Sequence, residues 1–170
     1  MAQEAVGRCL CGAVQFKVTG EPIYNVNAFL SFRRTSGSTF HTASIYLKKQ
    51  YTLLQPPSED PAAQDLPNIT VYPDYDTQSG KPLYRRFCAT CGAKISALTP
   101  LNNEIISVPA GILPDAGQEW KPQKEQFLKD KVGWVPELGD LVQTVKGPGS
   151  EVVGGLRSQA AESADERGRL

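Results

Sequence analysis

The residues in this sequence whose spacing is suited to chemistry are its four cysteines. They form two close pairs, Gly7-Arg8-Cys9-Leu10-Cys11-Gly12 and Phe87-Cys88-Ala89-Thr90-Cys91-Gly92. Two thiolate pairs of this kind can enclose a divalent ion in a four-sulfur tetrahedral cage, the closed ligand set of a structural zinc site. The glycine after each pair lets the backbone bend around the sulfurs. Two other readings compete. A Cys9–Cys11 disulfide would close a very small, strained ring, because the bridge requires suitably placed alpha carbons. Cys88 and Cys91 have the spacing of a redox pair, although no strand-then-helix context of thioredoxin type surrounds them. One structural Zn2+ ion is the expected cofactor.

Four further residues could carry proton transfer or charge recognition. His41 is the single histidine, so any imidazole acid/base step must use it. Arg33 and Arg34 are adjacent cations whose guanidinium forks pair bidentately with a carboxylate or phosphate. Glu125 is a candidate general base if it is buried. Each has a plainer alternative: a surface histidine, a solvated arginine pair, one acid among eighteen. Tyr24, Tyr72, Tyr75 and Tyr84 could line a cavity, but aromatic residues in β proteins more often fill the core.

The elements that must position these residues are mostly strands. A chain of 170 residues can bury a substantial core as one domain. Its 40% apolar content and zero formal charge give no sign of a nucleic-acid or membrane-surface partner. No apolar run approaches the roughly 20 residues of a membrane span, and no signal-peptide pattern opens the chain, so a cytoplasmic, reducing setting is expected. In that setting close cysteine pairs are more often metal ligands than disulfides. Val14, Phe16 and Val18 alternate with polar residues as in a half-buried strand. His41 to Leu47, Ile69 to Tyr72 and Leu83 to Phe87 read as further strands, and Ile95, Ile105, Ile106 and Val108 mark two more. Ile23 to Phe32 reads as mixed and loop-like, and Gln55 to Pro67 as a proline-rich surface excursion. No segment holds a 3.6-residue apolar stripe, so helix should be scarce. The expected organisation is a domain over residues 1–146 and a poorly packed Gly, Ser, Ala and charged tail over 147–170.

The order of these motifs resembles the glutathione-dependent formaldehyde-activating (GFA) family. The resemblance rests on Gly7-x-Cys9-x-Cys11-Gly12-x-Val14-x-Phe16, Phe87-Cys88-x-x-Cys91-Gly92 and Arg33-Arg34 with Ser36-Gly37-Ser38. Ala110-Gly111-Ile112-Leu113-Pro114-Asp115 and Lys131 with Trp134 extend it, so that it spans roughly residues 5 to 140. It implies a mainly β, Mss4-like fold of short antiparallel sheets, with Cys9, Cys11, Cys88 and Cys91 as the structural zinc site.

The departures are as informative. Members acting on the glutathione adduct of formaldehyde carry a Cys-x-Cys-x-x-Cys motif before the double basic residues, and its thiolates hold a second zinc. Here Asn27, Phe29 and Phe32 occupy those positions, and Glu125 stands where a histidine usually opens the late motif. Phenylalanine cannot coordinate a metal. The resemblance therefore implies a family member without the second zinc. Its former metal pocket is either plain core or a remodelled site for a flat or apolar small molecule. The leading expectation is a carbon–sulfur lyase-like protein performing acid/base chemistry (elimination, isomerisation or cyclisation) in specialised metabolism or detoxification. His41, Arg33, Arg34 and Glu125 would be its catalytic groups, and Asn27, Phe29, Phe32 and Ser36 its substrate-binding groups. A glutathione adduct or an aromatic metabolite is the expected class of partner. The alternatives are a non-catalytic zinc-stabilised binding module and, last, an active S-(hydroxymethyl)glutathione synthase.

Overall fold

The computed structural model describes residues 4–29, 37–58, 60, 62–63, 65–113, 120–136, 138, 141–147 and 150–154. Thirteen strands follow in chain order among them: β1 (Glu4–Arg8), β2 (Gln15–Thr19), β3 (Tyr24–Ala28), β4 (His41–Leu47), β5 (Tyr51–Gln55), β6 (Pro57–Ser58), β7 (Ile69–Asp74), β8 (Leu83–Cys88), β9 (Lys94–Leu98), β10 (Ile105–Pro109), β11 (Lys124–Gln126), β12 (Val142–Thr144) and β13 (Val152–Gly154). Helix among the described residues is limited to single 3-10 turns, including Lys48–Gln50, Ala110–Ile112 and Leu128–Asp130. None is long and apolar enough to cross a membrane. The chain is mainly β, as its patterning predicts, and it divides into two compact units, Met1–Tyr24 with Ala43–Trp120 and Asn25–Thr42 with Lys121–Leu170.

In the first unit, β1, β2, β5 and β6 form an antiparallel sheet in that order. A second antiparallel array runs β4-β10-β9-β8-β7. Strand alternation sends Phe16 and Val18 inward while Lys17 between them pairs with Glu4 at the surface. Phe16 stacks on Tyr51 at 4.9 Å, and both join Ile95, Ile106, Val108 and Leu113 in one apolar core that also takes in Cys9 and Cys88. One cysteine of each pair, Cys9 and Cys88, is thus anchored in the hydrophobic interior, while Cys11 is exposed.

Gly7 has a steric role in this packing. It lies opposite Phe16 in the β1–β2 ladder, and a Cβ built there would meet the Phe16 ring at 2.3 Å. Gly7→Ala should therefore displace a fully buried ring and cost about 1–3 kcal/mol as an overpacking change. Urea denaturation measures it; an unchanged midpoint would mean that the ring has room to move.

The second unit places β13, β12, β11 and β3 side by side, with β3, β11 and β12 parallel and β13 antiparallel to β12. This corrects the loop-like reading of Ile23 to Phe32, since Tyr24–Ala28 is a strand. Asparagine is poorly represented in strands, and Asn25 and Asn27 hid the pattern. Asn27 is tolerated because a buried polar partner meets it across the ladder. Val152–Gly154 forms β13 within the stretch read as tail.

Candidate functional site

The strands bring the two cysteine pairs together. Cys9 and Cys11 follow β1, and Cys88 ends β8 with Cys91 in the turn toward β9. Gly12 and Gly92 adopt left-handed conformations (φ 79° and 71°) that close the two knuckles. The Gly92 amide donates to the Cys88 carbonyl and the Gly12 amide to the Cys9 carbonyl. All four Sγ atoms lie within 4.8 Å of one another, with Cys9–Cys11 at 3.5 Å and Cys11–Cys88 at 3.6 Å. Tetrahedral zinc with bonds near 2.3 Å needs sulfurs about 3.8 Å apart, so the residues fit the ion.

The thiol electrostatics agree with that fit. The Ala93 amide, followed by the Cys11 amide, holds Cys91 down to about 6. Cys11 is pushed up to about 12, because the neighbouring sulfurs and burial outweigh the favourable Ala13 amide. Packed sulfurs therefore compete for negative charge, and a divalent cation is what lets all four ionise together. The Val14 amide, 3.2 Å from Cys9 Sγ, supports a thiolate from behind. Four protein ligands fill a tetrahedral zinc, leaving no open position for substrate. The four cysteines thus have the ligand set of a structural site.

A different cluster forms in the second unit around Glu125, which is 0% exposed. Register sets Gln143, Glu125 and Asn27 side by side on β12, β11 and β3. Gln143 Nε2 donates to Glu125 Oε2 at 2.8 Å, and Asn27 Nδ2 to Oε1 at 3.4 Å. Lys131 Nζ lies 3.7 Å from Oε2 and 5.3 Å from the centroid of the Phe29 ring. Phe29 is 1% exposed and meets Phe40 with ring centroids 6.1 Å apart. The carboxylate, itself withdrawn from water, thus has an ammonium partner, two amide donors and an aromatic wall. Such a withdrawn charge is tolerated only when paired and hydrogen-bonded. Two buried atoms in this cluster, Asn27 Oδ1 and Lys131 Nζ, have no hydrogen-bond partner among the described residues.

Of the residues expected from sequence to act on substrate, the structure groups Asn27, Phe29 and Glu125. His41 opens β4 half-buried and makes interactions of its own, while the polar contacts of the Glu125 carboxylate come from Asn27, Gln143 and Lys131. Phe32, Arg33, Arg34 and Ser36 lie outside the described residues. Tyr72 and Tyr75 are exposed. Lys131, Gln143 and Phe40 join the cluster without having been predicted as site residues. Lys131 had a signal, since it belongs to the late motif shared with the family. Gln143 had none, because a three-residue parallel strand has no legible periodicity.

Fold and clasp together define a mainly β domain of two units, one of which gathers a four-cysteine site suited to a structural zinc ion. Residues 4–130 match the family of the glutathione-dependent formaldehyde-activating enzyme. The match covers well over half of the chain, and the chain belongs to that family. Among solved structures, a Rhodobacter sphaeroides protein determined as a structural-genomics target is similar at 23% identity and a TM-score of 0.47, covering 64% of this chain and 87% of that one. No curated protein matches.

Proposed function

We propose that this chain is a small-molecule enzyme of the GFA family that handles protons with the buried Glu125–Lys131 pair where relatives of the resemblance place a second metal. The observation that supports it is the pair of unsatisfied buried atoms, Lys131 Nζ and Asn27 Oδ1, on either side of one carboxylate. A native interior rarely leaves a donor and an acceptor without a hydrogen bond side by side, because each costs about 1–3 kcal/mol, and a polar ligand or water can complete both. In this reading Glu125 accepts a proton from the substrate while Lys131 stabilises the oxygen on which negative charge develops. Asn27 and Gln143 keep the carboxylate aimed, and buried Phe29 with the partly exposed Phe40 offers an apolar wall to a flat substrate. Elimination, isomerisation or cyclisation of an organic metabolite fits such a site.

A thermal-shift screen of metabolites, glutathione adducts and aromatic compounds included, tests this. Hits should lose their shift in Glu125→Gln, which keeps the shape and removes the charge, and turnover should fall by a factor of 10² or more. Incubation with glutathione and formaldehyde, followed by NMR, separates the original family activity: adduct formation above background would mean that chemistry survives without the cysteine motif. Metal analysis should give one zinc per chain; two would mean that the Asn27 region binds metal after all.

The packing of Phe29 on Phe40 and the full burial of Glu125 favour one second reading, a zinc-stabilised binding module in which the cluster is a polar strut. A screen without hits, together with unaltered partner binding in Glu125→Gln, would select it.

A further inference from the structure

The first unit contains a concavity of about 160 Å³ that shares no residue with the Glu125 cluster. Strand alternation builds its wall. Tyr84 and Arg86, two apart on β8, face the same way. Register then places Leu98 beside Tyr84, with Val71 and Ser96 on either side of Arg86. Val71, Tyr84, Arg86 and Leu98 all line the space, and Lys48 and Thr99 complete its polar rim.

Arg86 is 2% exposed, an unusual position for a guanidinium. Burial pushes it below the ordinary arginine value, with Tyr51 and then Asp60 opposing the shift. Its positive charge is what matters here. Beside it, Ser96 Oγ is buried with no hydrogen-bond partner among the described residues, and so is Tyr51 Oη, which lies within electrostatic reach of Arg86. The lining therefore combines two cations with an apolar wall, and the two hydroxyls lie near Arg86 without lining the space. A cavity of roughly 150 Å³ is enough to hold a benzene molecule.

We propose that this concavity binds a small organic carboxylate with an apolar body about the size of a benzene ring. The carboxylate would face Arg86 and Lys48, and the body would lie against Val71 and Leu98. A guanidinium fork with a neighbouring ammonium recognises a carboxylate better than a neutral group of the same shape.

Benzoate and its neutral counterpart benzyl alcohol, titrated into the zinc-loaded full chain and followed by amide chemical shifts, test the proposal. Benzoate should give saturable shifts at Val71, Tyr84 and Thr99, with at least tenfold weaker binding of benzyl alcohol. Lys48→Met, at a partly exposed position where the fold is not at stake, should weaken benzoate about tenfold, the worth of one charge-assisted contact. Val71→Phe should fill the space and remove binding. Equal binding of the two probes, shifts that do not saturate or map elsewhere, or unchanged affinity in both variants would overturn it. Glu125→Gln should leave benzoate binding intact, so failure of the catalytic reading and failure of this one are separable.

Discussion

Cys88→Ser is expected to abolish zinc binding by the four-cysteine cluster and to take most of the folding stability with it. Cys88 is buried in the apolar core, and its sulfur holds one corner of the only four-ligand group among the described residues. Structural zinc sites contribute about 10–16 kcal/mol of apparent binding free energy in isolated zinc-finger peptides, comparable to the whole stability of an ordinary domain. Here part of that energy is spread over a substantial core, so the variant is expected to be largely unfolded at 25 °C or to melt tens of degrees lower. A strong chelator should do the same to the unmodified chain. Circular dichroism melts alongside metal analysis measure both. A variant that kept one zinc and its melting temperature would remove the four-cysteine clasp as the organising feature of the fold.

The second large effect is expected at Glu125. Replacing it with alanine leaves the Lys131 ammonium buried beside Phe29 with its counter-charge gone, and removes the acceptor used by Gln143 and Asn27. Breaking a buried pair from one side typically costs about 3–5 kcal/mol. The double variant Glu125→Leu with Lys131→Met removes both charges while roughly keeping volume, and should recover most of that loss. Urea denaturation of the single and double variants gives the coupling. A single-variant loss below about 1 kcal/mol would mean that the pair is hydrated and the site open to solvent. Ligand binding distinguishes roles: if the pair is catalytic, the double variant regains stability but not substrate turnover; if it is a strut, stability alone is affected.

These two expectations differ in how far the sequence anticipates them. Each half of the clasp needs only local information, and closing it across 77 residues is left to the strands. Each cysteine pair is short and each knuckle is closed by its own glycine, Gly12 and Gly92, whose left-handed conformations bend the backbone around the sulfurs. The strands carrying the clasp are equally legible, because Phe16 and Val18 on β2 and Ile106 and Val108 on β10 alternate over a buried face. The Glu125 cluster is another matter. Its members come from positions 27, 29, 125, 131 and 143, and they meet through parallel pairings of three residues each or fewer. Lys124-Glu125-Gln126 has no apolar residue to reveal a strand, and Tyr24–Ala28 is disguised by its asparagines. The same holds for Arg86, which looks like a surface cation in Tyr84-Arg85-Arg86-Phe87. Arg85 next to it forms an ion pair with Asp74, whereas the opposite pleat turns Arg86 inward.

The sequence by itself determined the β class, the two cysteine knuckles, the family and the absence of the Cys-x-Cys-x-x-Cys ligands. All of these depend on residue type at short spacing, which local backbone geometry converts directly into structure. Tertiary structure alone decided that Glu125 is paired with Lys131 and flanked by Asn27 and Gln143, and that Arg86 lines a cavity. Those facts depend on strand register between segments as far apart as 98 residues in the chain. Register is set by the total burial of apolar faces, to which Lys124, Glu125 and Gln126 contribute no pattern of their own.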